Sequence, residues 1–106
     1  MKLGIILTSN DAELVWNVFR LANLSIEERD EVTIFLVAKG VEYENLSNEK
    51  FDILKLAKEF LDKNGLILAC GTCLKLRQKP GTELCPISTM KDLHNLVKEY
   101  DKILTF

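Results

Sequence analysis

Two cysteines three positions apart are the residues of this chain best suited to carry out a reaction. Cys70 and Cys73 enclose Gly71-Thr72 and directly follow the apolar run Leu66-Ile67-Leu68-Ala69. A cysteine thiolate is a strong nucleophile that attacks sulfur–sulfur bonds. The spacing therefore indicates thiol chemistry, which is either sulfur carriage on one cysteine or exchange between a dithiol and a disulfide.

The sequence around Cys70 predicts that this residue ends a buried strand and that a short helix begins behind it. Asn64-Gly65 bounds the apolar run in front, and the helical pattern extends to about Arg77 before Lys79-Pro80-Gly81 breaks it. In that position the free N–H groups of Gly71 to Cys73 would point toward the sulfur and favour its anion. Positive charges follow at Lys75, Arg77 and Lys79. We therefore expect the pKa of Cys70 to lie below the ~8.5 of a free thiol.

Three other interpretations of the cysteines stay open from the residues alone. The pair could pack as small hydrophobic side chains at the strand–helix junction, because cysteine is often buried and inert. A dithiol–disulfide oxidoreductase of the thioredoxin kind would need antiparallel strands and a hairpin after the helix, whereas strands and helices keep alternating here. A zinc site would need a second pair of ligands, for which the sequence offers only Cys85 and His94. We expect Cys85 to pack away from Cys70 and His94 to lie on the surface.

The composition is that of a globular chain of 106 residues, which we interpret as a single domain, 1–106. The net charge of −2 gives no argument for a nucleic-acid or membrane partner. No apolar run approaches the ~20 residues of a membrane helix, and the run after Met1-Lys2 is too short for a signal peptide. Three cysteines, an odd number, argue against a secreted disulfide framework and favour the cytoplasm. We expect no cofactor and no metal ion.

Apolar runs and helical patterns alternate along the chain. Strands are predicted over residues 3–7, 32–38, 66–70, 84–87 and 103–106, with the fourth at an edge or irregular because Pro86 removes a hydrogen-bond donor. Amphipathic helices are predicted over residues 11–24 and 51–63, the second capped by Ser47 or Asn48 at the end of a loop over 41–48. Thr89 is expected to cap a last helix. The predicted inward face of this helix consists of Met90, Leu93, Val97 and Tyr100.

This alternation predicts an α/β fold with three layers. We expect a mainly parallel five-stranded sheet with helices on both faces, and a flavodoxin-like arrangement is the default for five strands. Ligands of such sheets bind outside the carboxyl ends of the strands. Four segments are expected at that edge: Ser9-Asn10-Asp11, Lys39-Gly40, Cys70 to Cys73, and Ser88-Thr89.

Several segments together resemble the DsrE/DsrF-like family of sulfur-relay proteins. The most specific of them is Ala69-Cys70-Gly71-Thr72-Cys73-Leu74-Lys75-Leu76-Arg77. The start around Ser9-Asn10-Asp11, the strand Glu31-Val32-Thr33-Ile34-Phe35-Leu36 and the ending from Tyr100 to Phe106 are also similar to the family. One departure is Gln78 after Arg77, where many members have Arg-Gly.

The resemblance implies a flavodoxin-like domain that assembles as a homo-oligomer, a trimer or a hexamer. It also implies a sulfur-carrier function: Cys70 would hold sulfane sulfur as a persulfide and pass it to a partner thiol, and Cys73 could resolve the persulfide by forming a disulfide. The partners would then be sulfur donor and acceptor proteins. Two other functions compete with this one, namely a non-catalytic oligomeric module and a dithiol redox protein that uses Cys70 and Cys73.

Overall fold

Five parallel strands form a single sheet in the computed structural model, which describes all of residues 1–106. The strands are β1 (Lys2–Leu7), β2 (Glu31–Leu36), β3 (Leu66–Cys70), β4 (Ile87–Ser88) and β5 (Lys102–Thr105). The helices are α1 (Ala12–Glu27), α2 (Ile53–Asp62), α3 (Gly71–Leu76) and α4 (Met90–Glu99), and a 3₁₀ helix, here named the 3₁₀ segment, covers Ala38–Asn45. None of the helices is long and apolar enough to span a membrane.

The strands follow the order β4-β3-β2-β1-β5 across the sheet. The predicted flavodoxin-like architecture, a parallel five-stranded sheet between helical layers, is confirmed. Flavodoxin itself has a different order of strands, in which the strand order reverses direction between β1 and β3. In this protein the strand order reverses direction between β1 and β5. The carboxyl ends of β1, β2 and β3 consequently lie side by side. β4 forms one edge of the sheet, as Pro86 predicted.

Helices cover the two faces of the sheet unequally. One face carries α1 and α2, and its buried cluster of 19 residues includes Phe19 from α1 and Phe60 from α2. The other face is packed by α4, where Leu96 forms a separate buried cluster with Phe35 and Cys70. The side chain of Cys70 therefore belongs to the smaller, α4-covered part of the core.

Of the four predicted inward residues of α4, Leu93 and Tyr100 pack against the smaller buried cluster, whereas Met90 and Val97 do not. Met90 and Val97 are 61% and 52% exposed, whereas Leu96 is 4% exposed. Leu96 fits against the sheet because Gly4 has no side chain: a Cβ at Gly4 would lie 2.5 Å from Cδ2 of Leu96. A glycine inside a strand marks this kind of close approach. Helical periodicity does not contain that signal, so the prediction missed Leu96 and wrongly placed Met90 and Val97 on the inward face.

The segment after β2 is helical where a loop was predicted over residues 41–48. β2 ends at Leu36, before the predicted residue 38, because Ala38 adopts a left-handed conformation with a φ of 50°. Val41 and Tyr43 are buried in the main core and hold the 3₁₀ segment against the sheet. The predicted loop is therefore wrong for residues 41–45, which belong to the 3₁₀ segment.

α2 is capped by Asp52, so the predicted caps are wrong. The carboxylate of Asp52 accepts a hydrogen bond from the N–H of Lys55 at 3.2 Å. Ser47 contributes from further upstream, since its hydroxyl oxygen accepts the N–H of Leu54 at 3.3 Å. Asp52 is the better cap because it immediately precedes the first helical residue.

Gln78 ends α3 in a conformation that glycine would adopt at lower cost. Its φ is 55°, and the N–H groups of Gln78 and Lys79 donate to the carbonyls of Lys75 and Leu74 at 3.0 Å each. This is the Schellman pattern, in which glycine is preferred at the left-handed position. A left-handed non-glycine residue costs about 1–2 kcal/mol, which the greater freedom of glycine in the unfolded chain partly offsets.

We predict that Gln78→Gly raises the free energy of unfolding by up to about 1 kcal/mol. Urea unfolding of the variant and of Gln78→Ala, which keeps the left-handed strain, measures the difference. A less stable Gln78→Gly variant would contradict the conformational argument.

Candidate functional site

Cys70 is the last residue of β3 and the N-cap of α3. Its sulfur accepts a hydrogen bond from the N–H of Cys73 at 3.4 Å. The residue is 4% exposed and packs against Phe35 and Leu96 on the α4 side of the sheet. The strand end and the helix start that the sequence predicted are thus present, and they bring the two cysteines together.

Cys73 lies one turn further on and contacts a second element, the 3₁₀ segment. Its sulfur accepts a hydrogen bond from the N–H of Ala38 at 3.2 Å. Ala38 is the residue whose left-handed backbone ends β2. Cys73 is half-buried and packs against the small cluster that contains Cys70. The amide of Ala38 was not identified from the sequence, because no side-chain pattern marks a backbone donor.

The prediction of a lowered pKa for Cys70 is wrong. Burial raises the pKa of this thiol, and a hydrogen bond with the Cys73 side chain raises it further. The N–H groups of Cys73 and Thr72 act in the predicted direction, but they do not outweigh the loss of solvation. Cys70 therefore favours the neutral thiol, since its apolar neighbours replace the water that would stabilise a thiolate.

Of the three predicted cations, Lys75 lines the space beside Cys70, whereas Arg77 is paired with another residue. The Nε of Arg77 forms an ion pair with Glu42 of the 3₁₀ segment at 2.8 Å, and its Nη1 donates to the carbonyl of Cys73 at 3.2 Å. The guanidinium lowers the pKa of Glu42, and Asn10 adds a longer hydrogen bond of 3.5 Å to the same carboxylate. Arg77 thereby joins α3 to the 3₁₀ segment, and Glu42 also binds Asn10 of the β1–α1 turn. We call the Arg77–Glu42 pair the clamp.

A cleft of about 460 Å³ opens beside Cys70 at the edge of the sheet. Ser88 is the register partner of Cys70 across β3 and β4, and its hydroxyl donates to Asp92 at 2.6 Å. The residues that line the cleft are Cys70, Gly71, Thr72, Lys75, Ile87, Ser88, Thr89 and Met90. Of the predicted rim segments, Ser88-Thr89 and the start of the cysteine segment line this cleft. The segments Ser9-Asn10-Asp11 and Lys39-Gly40 do not.

Cys85 is separated from this site, as expected. It is buried beside a second cavity of about 180 Å³, where Val41 and Leu74 form part of the wall. Its thiol donates to the carbonyl of Val41 at 3.8 Å. Burial raises the pKa of Cys85 to about 11, the charge of Glu44 acts in the same direction, and Lys79 opposes it. These surroundings are those of a packing thiol.

We predict that Cys85→Ala lowers the free energy of unfolding by about 1–2 kcal/mol and leaves the reactivity of Cys70 unchanged. Chemical denaturation measures the first quantity and the rate of alkylation of Cys70 the second. A large fall in the reactivity of Cys70 would mean that the two cysteines share a site.

The structure does not assemble the ligands that a zinc site would require. No group of three or more His, Cys, Asp or Glu side chains is arranged to hold a metal ion. The two residues available as further ligands also differ in their surroundings. Cys85 is buried, whereas His94 is exposed on α4.

Comparison with known proteins identifies the family. The sequence model of the DsrE/DsrF-like family matches residues 1–106. The uncharacterized protein MJ0989 of Methanocaldococcus jannaschii is 32% identical, with 100% of both chains covered. The uncharacterized protein MK0008 of Methanopyrus kandleri is 30% identical over 89% of this chain and 83% of its own. The chain belongs to the DsrE/DsrF-like family, as its cysteine segment indicated.

Solved structures show the same fold. The ychN protein of E. coli superposes with a TM-score of 0.81 at 24% identity, and 100% of both chains is covered. A conserved protein of unknown function, BT1422 from Bacteroides thetaiotaomicron, gives a TM-score of 0.78 at 21% identity over 99% of this chain and 94% of its own. At these identities the likeness concerns the arrangement of the sheet and helices.

Proposed function

We propose that this protein is a sulfur carrier, which accepts sulfane sulfur as a persulfide on Cys70 and passes it to the thiol of a partner protein. Membership of the DsrE/DsrF-like family supports this, because the resemblance to that family implies a persulfide on the cysteine at the position of Cys70. The observation that carries the proposal is the position of Cys70, beside an open cleft of about 460 Å³ with the N–H of Cys73 3.4 Å from its sulfur.

The transfer consists of two displacement reactions at sulfur. The Cys70 sulfur attacks the terminal sulfur of a donor persulfide, a new sulfur–sulfur bond forms, and the donor thiolate leaves. An acceptor thiolate then attacks that terminal sulfur, and Cys70 leaves as its thiolate. When no acceptor is present, Cys73 can attack the Cys70 sulfur, which forms a disulfide between them and releases hydrosulfide.

Intact-mass measurement tests the proposal. The reduced protein is incubated with a sulfur donor, and we expect a gain of one sulfur mass that disappears on treatment with a thiol reductant. A gain that survives the reductant would indicate another modification. No gain in mass at any donor concentration would favour a non-catalytic module whose cysteines only pack.

A non-catalytic module is the second candidate, and the burial of Cys70 favours it. A side chain that is 4% exposed is typical of a packing residue. The rate of alkylation in the folded state separates the two functions: a packing pair should react only as fast as the protein unfolds, whereas a carrier should react through the cleft. We also propose a cytoplasmic location, which is supported by three cysteines that are all free.

We propose that the protein is a homo-oligomer, either a trimer or a hexamer. Four large apolar side chains, exposed in the single chain, support an interface near the cleft and on α4: Leu76, Ile87, Met90 and Val97. We predict that light scattering at micromolar concentration gives a mass of three or six chains. A particle of 12.1 kDa, the mass of one chain, would contradict this.

A further inference from the structure

The cleft beside Cys70 has the size of a small-molecule site. Its volume is about 460 Å³, within the ordinary range for pockets that bind small ligands. Cys70 forms part of the wall, but the residue is only 4% exposed. A folded partner protein would therefore reach the sulfur only with a projecting side chain, whereas a small donor can enter the cleft whole. The geometry favours a sulfur donor of low molecular weight.

One part of the cleft wall is apolar and is held in place by close packing. The side chains of Ile87 and Met90 line the cleft and are 63% and 61% exposed. Two glycines make room for Ile87: an added Cβ would lie 2.6 Å from its Cγ1 at Gly81 and 3.2 Å from its Cγ2 at Gly71. An apolar wall of this kind suits the hydrocarbon part of an organic donor better than it suits a bare inorganic ion.

The charge of the cleft is positive. Lys75 is the one charged residue among the eight that line it. Its ammonium takes part in none of the three ion pairs of the chain. Arg77 differs in this respect, because Glu42 neutralises its charge in the clamp. Lys75 therefore offers the cleft a cation that no carboxylate of the chain occupies.

The hydroxyl groups of the cleft add hydrogen-bond donors. The hydroxyl oxygen of Thr89 accepts the N–H of Asp92 at 3.2 Å, which leaves its hydrogen free to donate. Thr72, an exposed residue of the lining, has a second hydroxyl. The carboxylate of Asp92 is engaged by the hydroxyl of Ser88 at 2.6 Å. One cation and two hydroxyl donors, with no carboxylate in the lining, suit an oxyanion such as a carboxylate.

We infer that the cleft binds a low-molecular-weight persulfide that bears a carboxylate, and that Lys75 binds this carboxylate while the terminal sulfur reaches Cys70. This inference rests on the proposed function and deepens it by naming the class of sulfur donor. Cys70 carries out the reaction, and Lys75 determines which donor is accepted.

The transfer from such a donor needs no oxidant. The Cys70 thiol loses its proton to water, and its sulfur attacks the terminal sulfur of the bound donor. The sulfur–sulfur bond of the donor breaks, and the inner sulfur leaves with the electron pair as a thiolate, which takes a proton from water. The net change converts the Cys70 thiol and the donor persulfide into the Cys70 persulfide and the donor thiol.

The test compares sulfur uptake from two matched donors, the persulfides of 3-mercaptopropionate and of its neutral amide, with intact mass as the readout. Each rate is divided by the rate at which the same persulfide transfers sulfur to free cysteine, which removes differences in intrinsic reactivity.

We expect the unmodified protein to take up sulfur about fivefold faster from the carboxylate donor at low ionic strength, the upper value for an exposed ion pair. The preference should disappear at about 1 M salt, which screens exposed charges.

A matched pair of variants assigns the preference to its residue. Lys75→Gln should slow uptake from the carboxylate donor to the rate of the amide and leave the amide rate unchanged. Lys79→Gln removes the same charge four residues further on, beside the second cavity, and should keep the preference. If Lys75 acted only on the ionisation of Cys70, Lys75→Gln would slow uptake from both donors equally.

The outcomes separate the inference from the function. Equal rates from the two donors in the unmodified protein, or equal slowing of both in Lys75→Gln, would overturn the inference and leave the carrier function standing. Sulfur accepted faster from thiosulfate, or only from a persulfide on a protein, would also overturn it. Absence of uptake from every donor would refute the carrier function itself.

Discussion

Replacement of Cys70 by serine is expected to abolish sulfur uptake and leave the protein folded. Serine fills nearly the same volume at the end of β3, and its hydroxyl can accept the N–H of Cys73 as the sulfur does at 3.4 Å. It cannot form a persulfide, so the gain of one sulfur mass should disappear. Intact mass after incubation with donor measures the loss, and the thermal unfolding midpoint measures whether the fold is retained.

The matched variant for this experiment is Cys73→Ser, which should retain the gain of one sulfur mass but alter the release of that sulfur, because Cys70 and Cys73 can then no longer form a disulfide. If Cys70→Ser still takes up sulfur and Cys73→Ser does not, the carrier lies one helical turn further along the chain. If neither substitution changes the uptake, the persulfide is not formed at this pair, and the packing function would account for both cysteines.

Gly40→Ala is expected to have the largest effect on stability. Gly40 lies in the 3₁₀ segment, and a Cβ there would overlap the carbonyl oxygen of Leu7 at the end of β1. β1 lies between β2 and β5, so its backbone cannot move aside without breaking the sheet. We predict that the free energy of unfolding falls by about 3 kcal/mol, in the range of severe overpacking.

Lys39→Ala, at the exposed neighbouring position, is the control and should leave the free energy of unfolding unchanged. A loss of less than about 1 kcal/mol in Gly40→Ala would show that the segment adjusts more freely than its packing against Leu7 implies.

The sequence predicts most strands and helices of this protein because the signals for these elements are local. The apolar runs give four of the five strands to within two residues, and the Cys-x-x-Cys spacing gives the junction of β3 and α3 at the correct residues. The fourth strand, predicted over residues 84–87, covers only Ile87–Ser88, because Cys85 pairs with Thr82 in a turn. Cys70 and Cys73 come together because they are three positions apart, with Cys70 the N-cap of α3 and Cys73 in the first turn of that helix. Such features depend on short stretches of chain, and periodicity describes them well.

The parts that the sequence did not predict depend on contacts between distant segments. The raised pKa of Cys70 results from Phe35 and Leu96, which lie far from it in the chain. Arg77 follows the cysteines as predicted, but its charge is directed to Glu42, which only the packing of the 3₁₀ segment brings near. Burial and pairing therefore reversed an electrostatic argument that was based on neighbours in sequence.

The most direct test of the central claim is to locate the sulfur by peptide mass mapping. The unmodified protein is treated with a persulfide donor, its persulfides are trapped with an alkylating reagent, and the peptides that contain Cys70-Gly71-Thr72-Cys73 and Cys85 are analysed separately by fragmentation. We predict one additional sulfur atom on Cys70 and none on Cys73 or Cys85. Additional sulfur confined to either of those two residues, or absent from all three, would contradict the proposal that Cys70 carries sulfur.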